Sequence, residues 1–330
     1  MAVHIDVDEF KFEEVTGIGK HFLFLGIRPA DGDRVEIPLL IANGANRGKT
    51  LVVFAAIHGD ELEGVQAIQE VFRELNTDEM RGRLIAIPVA NPPAFQAGKR
   101  LSPVDSMNLA RTFPGNKNGS LTERIAFYLS EMLIPQADFF LDLHSSGVAY
   151  LMPLMTGYDA GDTPTGKASG SAAQIFGTPV IWGHEEISPG RSISSAMDLG
   201  IPWLYVESPN GARVSQADLP FYVNGIFNLL KHLDILPGEI TGSAPEYSLI
   251  GSGDVDRTQA VSNAGFFVQK VGLLDHVEKG ELIGEVRDLF GETIEEIYAE
   301  RSGYVGLLRA APLVDPGDPV CLVAEAMSAR

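Results

Sequence analysis

Cysteine is almost absent. Cys321 is the single thiol in 330 residues, so no disulfide can close within the chain, and a reducing compartment is expected. Basic residues are also in the minority. Lys and Arg number 25 against 44 Asp and Glu, for a formal net charge of −19 and a pI near 4.7. A chain this acidic repels phosphate backbones, so nucleic acid is not an expected partner. Long apolar runs are missing as well. No stretch reaches the roughly 20 apolar residues that a bilayer-spanning helix needs, and no membrane partner is expected. The opening MAVHIDVDEFKFEEV has neither the basic start nor the apolar stretch of a signal peptide. The expectation is a soluble, cytoplasmic protein.

What is present is ordinary globular material, 45% apolar and 21% charged, long enough for one large core or two smaller ones. HFLFLGIRPADGDRVEIPLLIANG reads as two strands split at 30–33 by the turn residues Ala-Asp-Gly-Asp. Strands then alternate with helices. LVVFAAI (51–57) is a short continuous apolar run, as expected of a strand buried on both faces. Leu62, Val65, Ile68, Phe72 and Leu75 follow as one helical stripe. LIAIPVA (84–90) is the next strand, weakened by Pro88. SLTERIAFYLSEMLI opens with the capping-box pair Ser120 and Glu123. DFFLDLH (138–144) and IPWLYVE (201–207) are further strands. DLPFYVNGIFNLLKHL is a helix with Asp218 as cap and Pro220 in its first turn. This alternation predicts an α/β fold with a mostly parallel or mixed sheet and helices on both faces.

After Pro237-Gly238 the helical signal fades. Short apolar runs broken by Gly, Pro and Asp predict a small antiparallel β domain over 239–330. Residues 1–238 then form the main domain, with 1–48 as an N-terminal β segment.

In open α/β sheets, ligands bind beyond the carboxyl ends of the strands. Three predicted strands end there in chemically capable residues: the first in His58, with Glu61 three residues on, the second in His144, the third in Glu207. Two imidazoles and one carboxylate are a catalytic zinc set with one position left open. A closed structural site would need a fourth ligand, usually cysteine, and Cys321 lies in the C-terminal part. A lone histidine at a strand end is more often a hydrogen-bonded structural residue, and His-x-x-Glu alone is common. Their coincidence on one sheet edge is the stronger signal.

Taken in order, HGDE, NPPAFQAGKR, DSMNLARTFPG, DLHSSG and the Glu207 that follows IPWLYV resemble the succinylglutamate desuccinylase/aspartoacylase family. That family is a branch of the zinc carboxypeptidase-like fold. The resemblance spans about 50 to 215 and extends to the trailing β domain. It implies a zinc-dependent hydrolase, with one Zn2+ per subunit, that removes the acyl group of a small N-acyl amino acid. His58, Glu61 and His144 match the zinc ligands, and Glu207 matches the general base. Arg100 matches the arginine that polarises the scissile carbonyl. Arg111 matches one that grips a substrate carboxylate, and Arg191 resembles a second, at a longer spacing from Glu207 than in aspartoacylase. Asn108 joins them as a substrate-binding candidate. Asp142 lies two residues before His144 and so points the same way on a strand. A supporting role behind His144 and a purely structural role are both open, and Asp60 and Asp105 could likewise orient ligands or arginines.

One departure concerns specificity. The family reads Asn-Arg before its Phe-Pro-Gly, and Ala110 stands in the asparagine position here. Alanine cannot donate a hydrogen bond, so the substrate must be held differently than acetylaspartate or succinylglutamate would be. The branch acting on N-acetyl-diaminobutyrate-like compounds is one candidate. A zinc carboxypeptidase or peptide amidase is the alternative within catalysis, and a non-catalytic zinc or small-molecule binding relative is the alternative outside it. The C-terminal part resembles a biotinyl/lipoyl-type barrel, but VRDLFGET has no lysine to modify, which excludes a swinging arm. A role in capping the cleft or in oligomer contacts is expected instead. Homo-oligomerisation is expected from its frequency among soluble enzymes.

Overall fold

The computed structural model describes residues 2–28, 34–209 and 211–327; the turn expected over 30–33 lies outside them. Strand β1 (Val3–Asp6) runs parallel to β2 (Gly19–Ile27), which pairs antiparallel with β3 (Val35–Asn43). Then come β4 (Asn46–Ala55), helix α1 (Glu63–Glu74), β5 (Arg81–Ile87), α2 (Pro92–Ala97), α3 (Leu121–Tyr128) and β6 (Phe139–Leu143). A two-residue β7 (Tyr150–Leu151) precedes β8 (Met155–Asp159), α4 (Pro164–Phe176), β9 (Val180–His184), α5 (Ser192–Asp198), β10 (Trp203–Glu207) and α6 (Leu219–His232).

The sheet is mixed. β5, β4, β6 and β10 are parallel neighbours, β8 runs antiparallel to β10, and β9 is parallel to β8. Residues of β4 alternate between two cores. Leu51, Val53 and Ala55 pack toward α1, α4 and α6, while Val52 and Phe54 pack toward α3 and α5. Both faces are covered, so the strand can be apolar at every position, as its sequence is.

Local chemistry sets the element ends. β4 stops at Ala55 because Ala56 turns into the left-handed region at φ 50°. β5 stops at Ile87, before Pro88, which has no N–H to give the ladder. The capping box forms at α3, with Ser120 and Glu123 each closing the other's backbone. The helix then loosens into a π turn at Leu129–Leu133 and a tight turn at Ile134–Gln136, because Pro135 cannot continue an α-helical ladder. At α6, Asp218 stands in the cap position, but its side chain makes no capping bond. Its φ and ψ of −92° and −33° are already helical rather than extended.

From Tyr247 the elements are strands, apart from one tight turn. They are β11 (Tyr247–Ile250), β12 (Gln259–Ala260), β13 (Gly265–Gln269), β14 (His276–Val277), β15 (Leu282–Arg287), β16 (Thr293–Tyr298), β17 (Gly303–Arg309), β18 (Leu313–Val314) and β19 (Pro319–Ala326). β16, β15, β13 and β18 form a separate antiparallel sheet. β11 lies parallel to β9 on one side and antiparallel to β19 on the other, which ties the C-terminal strands to the main sheet. Among the described residues no helix is long and apolar enough to cross a membrane.

Candidate active site

Three parallel strands place the site. Phe54 of β4 and Tyr205 of β10 both stand in register with Asp142 of β6, so the three carboxyl ends open at one level. His58 and Glu61 follow β4, His144 follows β6, and Glu207 ends β10. The loop that carries His58 and Glu61 passes tightly over α2. A Cβ on Gly59 would lie 2.0 Å from the Ala94 carbonyl carbon, so only glycine fits. Asp60 pins the same loop outward: its Oδ2 accepts from the Val148 N–H and its carbonyl from the Ala212 N–H. Asp105 serves α3 instead, accepting from the Thr122 N–H and hydroxyl.

Candidate ligand atoms of His58, Glu61 and His144 all lie within 4.8 Å of one another. Glu61 Oε1 is 2.7 Å from His58 Nδ1, and Oε2 is 2.8 Å from His144 Nδ1. Each ring is held from behind. His58 Nε2 is 3.1 Å from Asn108 Oδ1, and the Ala110 N–H donates to that same atom, which identifies it as the oxygen. His144 Nε2 is 3.1 Å from Asp142 Oδ2, which also accepts from the Ser192 hydroxyl. Both Nε2 atoms therefore carry hydrogen, and each Nδ1 is turned toward Glu61.

Burial pushes the His58 ring below its usual pKa, and Arg100 adds to the effect. A neutral His58 with hydrogen on Nε2 presents a bare lone pair to a carboxylate at hydrogen-bond distance. Two acceptors in that position need a cation between them. His-Glu-His with acceptors behind both rings is the arrangement that orients metal ligands, and these residues fit one. His144 is held well above the ordinary value: burial opposes this, but Asp142 and Glu61 outweigh it. Burial would raise Glu61 too, yet the two histidines keep it well below the usual carboxylate range.

His58, Arg100, His144 and Glu207 line one cleft. Arg100 Nη1 donates to Glu61 Oε1 at 3.0 Å. Burial, followed by the charge of Glu61, pushes the Glu207 carboxyl up to about 8. Its Oε2 is buried with no hydrogen-bond partner among the described residues. A carboxyl raised to this range can exchange a proton near neutral pH. Ala110, Arg111 and Arg191 also line the cleft. Arg111 Nε donates to Asp256 at 2.6 Å, and Arg191 Nη2 donates to Asp254 at 2.5 Å. Asn108 stands beside His58. Its oxygen is engaged behind His58, and it is not among the residues that line the cleft.

The model of the succinylglutamate desuccinylase/aspartoacylase catalytic domain matches residues 47–233. The chain belongs to this family. Family members are hydrolases that cleave the amide of N-acyl amino acids. Similarity continues beyond the matched domain. The N-alpha-acetyl-L-2,4-diaminobutyric acid deacetylase of Halomonas elongata is 30% identical over 318 residues, 94% of this chain and 93% of that protein. The product-bound ectoine utilization protein EutE (DoeB) of Ruegeria pomeroyi is 31% identical, with a TM-score of 0.86 over 94% of this chain and 96% of its own. A succinylglutamate desuccinylase from Silicibacter sp. has the same TM-score and coverage at 29% identity. The C-terminal strands are thus part of an architecture these proteins share.

The desuccinylase/aspartoacylase cleft also holds residues that sequence reasoning missed. His184 ends β9 after an apolar run, the same sign that pointed to His58 and His144, and could have been found that way. Tyr205 lies two residues before Glu207 and so shares its side of β10. Asp254, and Asp256 which pairs with Arg111, carried no readable signal, because they follow β11 and come to the cleft and its arginines only through the tertiary fold.

Proposed function

We propose that the protein is a zinc-dependent deacylase of a small N-acyl amino acid, and that N-acetyl-diaminobutyrate is the substrate to try first. The observation that carries this reading is Glu61 set within hydrogen-bond distance of Nδ1 of both His58 and His144, in a cleft that also holds Glu207 Oε2, which has no hydrogen-bond partner among the described residues. A Zn2+ held by His58, Glu61 and His144, one per subunit, would supply Lewis-acid polarisation and a nucleophile at neutral pH.

The chain's own residues supply the rest. Glu207, raised toward neutrality by burial, takes a proton from the attacking water and returns it to the leaving nitrogen. Arg100 reaches into the cleft beside the ligands and donates to the carbonyl oxygen as negative charge develops there. One such donor lowers the barrier by about 3–4 kcal/mol. Asn108 and Asp142 keep the imidazoles turned with Nδ1 inward. Arg111 and Arg191 offer guanidinium groups for a substrate carboxylate, although each already holds an aspartate. Ala110 has no amide to add, which separates this cleft from one built for acetylaspartate. The choice of first substrate rests on the Halomonas relative. We keep a cytoplasmic homo-oligomer as part of the same reading.

The test is hydrolysis of N-acetyl and N-succinyl amino acids by zinc-loaded protein, with bound zinc measured in parallel. Glu207→Gln should retain zinc and lose at least about a hundredfold in kcat. Protein that binds no zinc, or a Glu207→Gln variant with full turnover, would sink the reading.

A further inference from the structure

One end of the cleft contains a pair that this chemistry leaves unused. Tyr205 and His184 both line it. Their rings stack with centroids 5.5 Å apart and planes 22° apart. The Tyr205 hydroxyl lies 2.8 Å from His184 Nε2, and His184 Nδ1 lies 2.8 Å from the Gly251 carbonyl. A carbonyl only accepts, so Nδ1 carries the ring hydrogen. Burial depresses His184 to about 4, which leaves the ring neutral at pH 7 with its lone pair on Nε2. That lone pair takes the Tyr205 hydroxyl hydrogen. A tyrosine hydroxyl has one hydrogen to give, so its remaining hydrogen-bonding capacity is as an acceptor.

The surroundings are of the same kind. Gly253 passes directly over the pair, and a Cβ there would lie 2.6 Å from His184 Cε1 and 3.1 Å from the Tyr205 oxygen. Only glycine fits this close to the pair. Asp254 follows, a carboxylate in the same wall. The Ser188 hydroxyl gives its hydrogen to Asp254 at 2.6 Å, so it too can only accept from a ligand. Glu186 lines the same end. Asp254 and Asp256 already balance Arg191 and Arg111. A substrate with an acidic side chain would therefore compete with built-in carboxylates. One with a cationic side chain would find acceptors.

We infer that Tyr205, fixed as an acceptor by His184, and the neighbouring Asp254 form a side-chain subsite that takes an ammonium group and selects N-acyl diamino acids. This inference rests on the deacylase reading above.

The experiment compares kcat/KM on N-acetyl-2,4-diaminobutyrate, on N-acetylnorvaline (a methyl in place of the ammonium) and on N-acetylaspartate. Wild-type protein should prefer the diamino substrate by about tenfold or more, the scale of one charge-assisted hydrogen bond. Tyr205→Phe should cut the diaminobutyrate-to-norvaline ratio at least several-fold, mainly through KM, with bound zinc retained. Asp254→Asn should cut the same ratio, and it decides the question if Tyr205→Phe does not fold. Equal losses on both substrates, leaving the ratio intact, would overturn the subsite. So would a wild-type preference for N-acetylnorvaline or N-acetylaspartate, although the deacylase reading would then stand. Absence of turnover on all three would overturn the subsite, and only silence across the N-succinyl amino acids as well would overturn the deacylase reading with it.

Discussion

Glu207 shows at a single residue how the proposed function opposes stability. Burial raises its carboxyl from 4.5 to about 8, so between those values the native metal-free protein holds a proton that the unfolded chain has released. Native protonation exceeds unfolded protonation, so the Glu207 contribution is fully present below pH 4.5 and is lost as pH rises through about 8. Glu207→Gln removes this dependence. Its melting temperature in metal-free protein should rise relative to wild type, and the gain should be larger at alkaline pH than at acid pH. A thermal melt series across pH checks this, and a gain independent of pH would contradict it. The catalytic candidates at strand ends were legible because each is a polar residue closing an apolar run. Asn108 was legible only as a candidate. Its contact with His58 spans 50 residues, and nothing local marks which ring it will meet.

Among the elements, those with strong local signals formed where expected. The Ser120–Glu123 box is the clearest, since two side chains satisfy backbone groups at the start of α3. Ser120→Ala should destabilise the protein by about 1 kcal/mol in a urea melt and leave zinc binding unchanged. The elements between 155 and 198 were not read. β8, β9 and α5 are only five to seven residues long. α4, with the sequence PTGKASGSAAQIF, carries small residues in place of a wide apolar stripe. Ala172, Ala173 and Phe176 hold it through packing on the sheet. Helices of this kind form from tertiary burial rather than propensity, so α4 and the short α5 that follows Arg191 could not be placed from periodicity.

For the whole molecule, the proposed metal set joins parts that are far apart in sequence. His58 and Glu61 follow β4, His144 follows β6 some 83 residues after Glu61, and Tyr222 of α6 donates to the His144 carbonyl at 2.6 Å. A cation bound there stabilises only the folded chain. Zinc at a thousand times its Kd should add about 4 kcal/mol, read as a rise in melting temperature that a chelator reverses. A melting temperature indifferent to zinc and chelator would contradict the site. The C-terminal strands enter the same account. The segment after β11 reaches back across the cleft, and Asp254 and Asp256 meet Arg191 and Arg111 there.

The sequence by itself determined the α/β alternation, the two-faced burial of the central strands and the residues at their carboxyl ends. Those depend on hydrophobic periodicity and on residue type, which are local properties. Only the tertiary structure decided which nitrogen of each histidine faces Glu61, that Asn108 stands behind His58, and that Arg111 and Arg191 are already charge-paired. It also decided that Tyr205 and His184 meet at the end of the cleft. Each of these depends on hydrogen bonds or charge contacts between segments that only the folded sheet brings together.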